Sequence, residues 1–257
     1  MTAEPSRTDA DLAAYVLRLG DDALVLCQRL CSLVTRAPTI EEDLALANIA
    51  LDLLGHARTL LAYSGRLDGT GRGEDELAYQ RTDREFRNVL LTELAPADFA
   101  VTVARQLVYA HYSTLLWSAL EKSRDDTLAA FGARAAREAE YHRMHADQWT
   151  VRLGRGTAES RRRMRAGLDL VWPYVDELFA ADDLVERLDA DGTAVAPARL
   201  REEWERGVTA VLDDARLTVP TASWRATGGR DGLHTEEFAP LMAEFRSVRL
   251  QYPGGTW

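Results

Sequence analysis

Between Ile40 and Leu67 the chain puts apolar side chains on nearly every face of an α-helix, and this stretch limits the fold more than any other. Leu44, Leu46, Ile49, Leu51, Leu53 and Leu60 are among them. A helix apolar all round is one that other helices surround, so the pattern predicts a central, buried helix. Its limits are marked locally. Pro38 breaks what precedes it, Thr39 has N-cap chemistry, and Glu42 stands three residues on, as a capping box requires. Gly65, Gly69, Gly71 and Gly73 then end the helix in a loop.

Other segments keep the same period. A first helix is expected over about 9–35, with Leu12, Val16, Leu19, Leu26 and Leu30 at three- and four-residue steps. Residues 75–94 read as mixed, with short helical pieces. A third helix opens at Pro96 and Asp98 and runs to about 123. A fourth starts at Asp125 and Asp126 and runs to about 153, where Gly154 and Gly156 stop it. A fifth is expected over 157–188, kinked by Pro173. Two more follow, over 198–217 and 235–251, the last capped by Thr235. No segment of strand period occurs. The class is therefore all-α: a four-helix bundle of two hairpins with additional C-terminal helices. Residues 1–8 read as a disordered lead-in and 9–257 as a single helical domain.

Composition narrows the function. A chain of 257 residues with 46% hydrophobic content can bury a core without staples. A formal net charge of -10 argues against a nucleic-acid binder, which must neutralise phosphates. The polar start lacks the apolar region of a signal peptide, and no uncharged apolar run reaches the ~20 residues that span a bilayer. The expectation is a soluble, cytoplasmic protein with no membrane partner. The two cysteines, Cys27 and Cys31, fit a reducing compartment. They read as small apolar core or semi-core residues, with a soft metal pair as the functional alternative.

Four-helix bundles of two hairpins raise a specific chemistry. Di-metal carboxylate bundles take one Glu from each of two helices and a Glu-x-x-His pair from each of the other two. Residues three apart share a helix face, so carboxylate and imidazole enter one cavity. Here Asp52 is followed three residues on by Gly55, with His56 one step later. Glu138 is followed by Tyr141, with His142 one step later. Each slip turns the imidazole by ~100° about its helix. The first helix offers Asp21 or Asp22. The third, from Phe99 to Leu120, has no Asp or Glu at all. The inventory is a degenerate one: Asp22, Asp52 and Glu138 remain, and His56 and His142 are displaced. The plain reading of Asp52 with His56, and of Glu138 with His142, is an i, i+4 contact, with Tyr141 and Met144 in the core. A non-standard metal site is the alternative.

Arg161, Arg162, Arg163 and Arg165 open the fifth helix. They fit either a solvated face beside acidic neighbours or a patch for an acidic partner or a phosphate-bearing substrate such as a coenzyme A ester. The loop from Thr227 to Phe238 carries His234, which reads as a hydrogen-bonded loop residue.

Four segments, YVLRLGDDALVLCQRL, EEDLALANIALDLLGHAR, EAEYH and GGRDGLHTEEFAPLMAE, resemble the C-subunit family of phenylacetyl-CoA epoxidase. The resemblance runs from about Asp9 to Trp257. It implies a ferritin-like fold and a place in a multicomponent oxygenase that epoxidises the aromatic ring of phenylacetyl-CoA. It further implies a homologous A subunit that holds the di-iron centre, a small bridging B subunit, and an NADPH-dependent reductase. The C subunit itself would bind no cofactor and act structurally, with room for a homodimer when isolated. Two alternatives stand beside this reading. One is an independently active metal enzyme using Asp22, Asp52, Glu138 and His142 in an unusual site. The other is a self-associating helical protein unrelated to oxygenases.

Overall fold

The computed structural model describes residues 7–253 and residue 255. Among them every regular element is helical and none is a strand, so the all-α expectation holds. The chain forms two compact units. One takes the residues up to Ala95 and those from Gly228 onward; the other is Pro96–Thr227.

The first unit is built on α1 (Arg7–Cys31) and α2 (Ile40–Leu67). Ser64 Oγ donates to the Ala13 carbonyl at 2.9 Å, and Gly20 faces Leu60 and Leu61. Residue numbers falling on one helix as they rise on the other make the pair antiparallel. Helix α1 begins within the expected lead-in, of which residues 1–6 lie outside the described residues. It stops at Cys31 rather than Thr35, because the chain turns: Thr35 has φ 76°, and Asp43 Oδ1 gathers the Thr35 and Ala37 amides at 3.0 Å each. Thr39 caps α2 by accepting from the Glu42 amide.

The expected burial of α2 holds on one side only. Leu46, Ile49, Leu53 and Leu60 are buried, but Leu44 and Leu51 are 61% and 63% exposed. Length and hydropathy alone would let α2 cross a membrane; its inner face is instead packed on α1. Short α3 (Glu74–Tyr79) and two 3₁₀ turns follow.

The second unit is built on α4 (Phe99–Leu120) and α5 (Asp126–Arg155), capped by Asp98 and Asp125 through the Val101 and Leu128 amides. They too are antiparallel: Phe99 meets Trp149 edge to face, and Trp117 meets Phe131. Helix α4 is covered on nearly every side, so that even its polar Arg105, Gln106 and His111 are buried.

The kinked fifth helix is three pieces instead: α6 (Ala158–Val171), α7 (Val175–Leu178) and α8 (Asp183–Ala190). Pro173, which has no N–H, sits in a 3₁₀ turn over Trp172–Tyr174, and Asp182 caps a new start by accepting from the Val185 amide. Then come α9 (Arg201–Asp214) and, back in the first unit, α10 (Phe238–Gln251). Thr235 does not cap α10. Its amide and hydroxyl are both committed to Glu93, at 2.8 and 2.7 Å.

Candidate functional site

In the first unit, α1 carries two adjacent aspartates, both buried. Asp22, 1% exposed, receives Arg230 on both oxygens, at 3.0 and 2.8 Å, and the Val89 amide on Oδ1 at 2.8 Å. Burial pushes its carboxyl group above the ordinary carboxylate range, against the downward pull of Arg230 and of the Val89 amide. Asp21 is bound by both terminal nitrogens of Arg81, one of them at 2.9 Å, and by the Arg87 amide at 2.8 Å. The Arg81 guanidinium also lies over the Phe86 ring, 4.0 Å from its centroid. Arg230 reaches Asp22 because its turn is flanked by Gly228 and Gly232 at φ 113° and 78°, conformations that side chains disfavour.

A third acid joins them. Glu93, fully buried, accepts from Asn88 Nδ2 at 2.8 Å, from His234 Nδ1 at 2.6 Å, and twice from Thr235. The His234 ring lies stacked 3.9 Å from Phe238, so it is a hydrogen-bonded loop residue, as its sequence context suggests. On α2, Asp52 is half-buried and His56 buried, one turn apart.

In the second unit, His111 on α4 is buried, with Nε2 2.7 Å from Asp147 Oδ1 on α5. Arg143 bridges Asp147 at 2.9 Å and Glu140 at 2.9 and 2.5 Å. Hydrogen bonding from Arg143 holds the Glu140 carboxyl below its usual range. Glu138, half-exposed, lies 3.8 Å from Arg134, and His142 is buried. Tyr141 and Met144, expected in the core, are 49% and 47% exposed. The same slip that rotates His142 inward turns these two outward.

The arginines of α6 are largely spent locally. Arg161 Nε donates to the Gly154 carbonyl at 2.7 Å, while Arg162 and Arg163 share Glu159. Their hydrogen bonds hold the Glu159 carboxyl down at about 2. Arg165 is exposed. The cysteines divide: Cys27 is buried and Cys31 exposed, so the core reading fails for Cys31. The Cys27 S–H donates to Cys31, lowering that thiol to about 7 and raising Cys27.

These residues do not fit a two-metal centre. Both oxygens of Asp22 face a guanidinium, α4 offers no acid, and no three His, Cys, Asp or Glu among the described residues group to hold a metal. The model of the "Phenylacetic acid catabolic protein" family matches residues 1–257. The chain belongs to this family. A member from Escherichia coli (strain K12), the C subunit of 1,2-phenylacetyl-CoA epoxidase, is 45% identical over 246 residues, covering 96% of this chain and 99% of that protein. The resemblance read from the four segments is borne out.

For this family member the sequence reading missed Glu93, Asp147 and the arginine partners. Glu93 sits in an aperiodic stretch and pairs with residues about 140 positions away. The one available signal for Asp147 was its i+4 spacing from Arg143.

Proposed function

We propose that this chain is a non-catalytic structural subunit of a bacterial multicomponent di-iron oxygenase that epoxidises phenylacetyl-CoA, working in the cytoplasm. It pairs with a homologous catalytic subunit, which holds the di-iron centre, and assembles with a small bridging subunit and an NADPH-dependent reductase. The carrying observation is the fate of Asp22. The acid a metal would claim on α1 is closed by a bidentate guanidinium and a backbone amide. The similarity to the C subunit of the Escherichia coli epoxidase supports the assembly, and an α4 without Asp or Glu supports the structural role. Such a subunit braces its partner: a catalytic geometry loosened by ~1 Å loses much of its rate.

Metal analysis of the purified full-length chain, produced with iron in excess, tests the role. Substoichiometric iron is expected; about two irons per chain overturns the reading. Co-expression with a ferritin-like partner carrying two Glu-x-x-His pairs tests the assembly, and a stable complex is expected on gel filtration. Separate elution would overturn the pairing.

A further inference from the structure

Within the second unit, α7, α9 and the segment 217–226 enclose a cavity of about 380 Å³. Its size falls in the range of pockets that hold small ligands. The floor is aromatic and fixed. Trp204 is buried and donates Nε1 to the Val108 carbonyl at 3.0 Å, Trp172 leans on it at 5.9 Å, and Val208 lies alongside. The far wall is Val219, Pro220 and Ala222, and the segment is tied down where the Ala226 amide donates to the Pro173 carbonyl at 2.9 Å.

The rim is a row of four charges. Asp176 lies between Arg201 and Arg225, 2.6 Å from each, and Arg201 Nε reaches Glu205 at 2.8 Å. The two carboxylates are therefore engaged, and a cation would have to displace an arginine to use them. Two guanidinium groups carry far more N–H donors than these contacts consume. The four formal charges cancel, but the mouth keeps spare guanidinium N–H donors above an apolar, ring-lined floor. A nucleotide would need more space and more uncompensated charge than this cavity has. A neutral hydrocarbon would leave the donors unused.

We propose that the cavity binds a small carboxylate with a flat apolar body, an aryl or arylalkyl carboxylate of about ten heavy atoms. Its ring lies against Trp172 and Val208, and its carboxylate meets Arg225 and Arg201. The site is a ligand-binding one, with no chemistry assigned to it. It stands apart from the question of metal binding, so it survives or fails independently of the structural-subunit reading.

The test titrates the full-length chain with benzoate, phenylacetate and 3-phenylpropionate, read by calorimetry and by tryptophan fluorescence. Saturable binding of at least one is expected, with its neutral amide analogue about tenfold weaker, since a charge-assisted bond to Arg is lost. Arg225→Gln raises Kd about tenfold. Arg225 is exposed, so the variant keeps its fold. Ala222→Trp fills the cavity and abolishes binding while the rim charges stay. No saturable binding by any of the three acids overturns the proposal. So does equal affinity for acid and amide, or binding that both variants leave unchanged.

Discussion

Replacing Asp22 by alanine tests the reading of the α1 acids most directly. The change removes the carboxylate that Arg230 grips at 3.0 and 2.8 Å and strips the Val89 amide of its acceptor. Val89 is fully buried, so its orphaned N–H costs about 1–3 kcal/mol. Arg230 keeps bonds to the Arg18 and Arg87 carbonyls, at 3.3 and 2.6 Å, but loses its counter-charge. Breaking a buried ion pair from one side costs about 3–5 kcal/mol in all. At roughly 2–4 °C per kcal/mol for a chain near this size, Tm falls by about 6–20 °C. The pair also ties α1 to residues 208 positions later in the sequence, so the loss acts on a contact closed against a large chain entropy. Circular dichroism at 222 nm measures the shift. Asp22→Ala with Arg230→Ala should lose less than the sum of the single changes, because no uncompensated charge remains. A chelator should leave the wild-type Tm where it is. A fall of less than about 2 °C in Asp22→Ala refutes the reasoning. So does a chelator that lowers the wild-type Tm while leaving the variant untouched, since Asp22 would then be serving a metal.

Two glycines should respond with opposite signs to the same change. In Gly154→Ala the new Cβ would stand 2.3 Å from the Ala215 carbonyl oxygen, backbone that cannot swing aside, and stability should fall by about 1–3 kcal/mol in urea unfolding. In Gly55→Ala it would meet nothing within 4 Å inside helix α2, and stability should rise by about 0.5–1 kcal/mol; a loss there would show that the outer face of α2 is more crowded than described. Cys31 should alkylate with iodoacetamide along a pH profile whose midpoint lies near 7, the thiolate growing in as pH rises. Cys27→Ala removes the S–H donor, and the midpoint should move up toward the ordinary thiol range. An unmoved midpoint would mean that the pair is not hydrogen-bonded. His111→Ala should leave Asp147 with Arg143 alone and open a hole against Gly207, whose added Cβ would come within 2.9 Å of His111 Nδ1. A loss of about 2–4 kcal/mol is expected, and a variant as stable as wild type would place His111 outside the packed interior.

Helix starts were legible because they are local. Thr39, Asp98 and Asp125 each accept from an amide three residues on, and that spacing is written in the chain. The break at Pro173 was visible, its depth was not. A proline fixes one lost bond, whereas the three separate helices also depend on Asp182 starting a new cap and on the Pro173 carbonyl accepting from distant Ala226. The exposure of Leu44 and Leu51 was illegible for a different reason. Period tells which residues share a face, and says nothing about which faces a neighbour covers.

The same limit governs the acids. Asp21 and Asp22 are adjacent and buried, and two such carboxyl groups call for two positive charges nearby. A metal cluster is one way to supply them. Arg81 and Arg230 are another, and they reach α1 from 60 and 208 residues away. Glu-x-x-His spacing is a test for the first solution only, because it lies within one helix turn. The second solution is set by tertiary contact, so its residues carry no common spacing. Gly55 and Tyr141 stand where the Glu-x-x-His spacing would put its two histidines. Arg81 ties Asp21 to the segment after the first hairpin, Arg230 clasps the C-terminal segment to Asp22, and Glu93 repeats the device with His234 and Thr235. On the proposed structural reading, such clasps are how the fold itself neutralises the buried acids of α1.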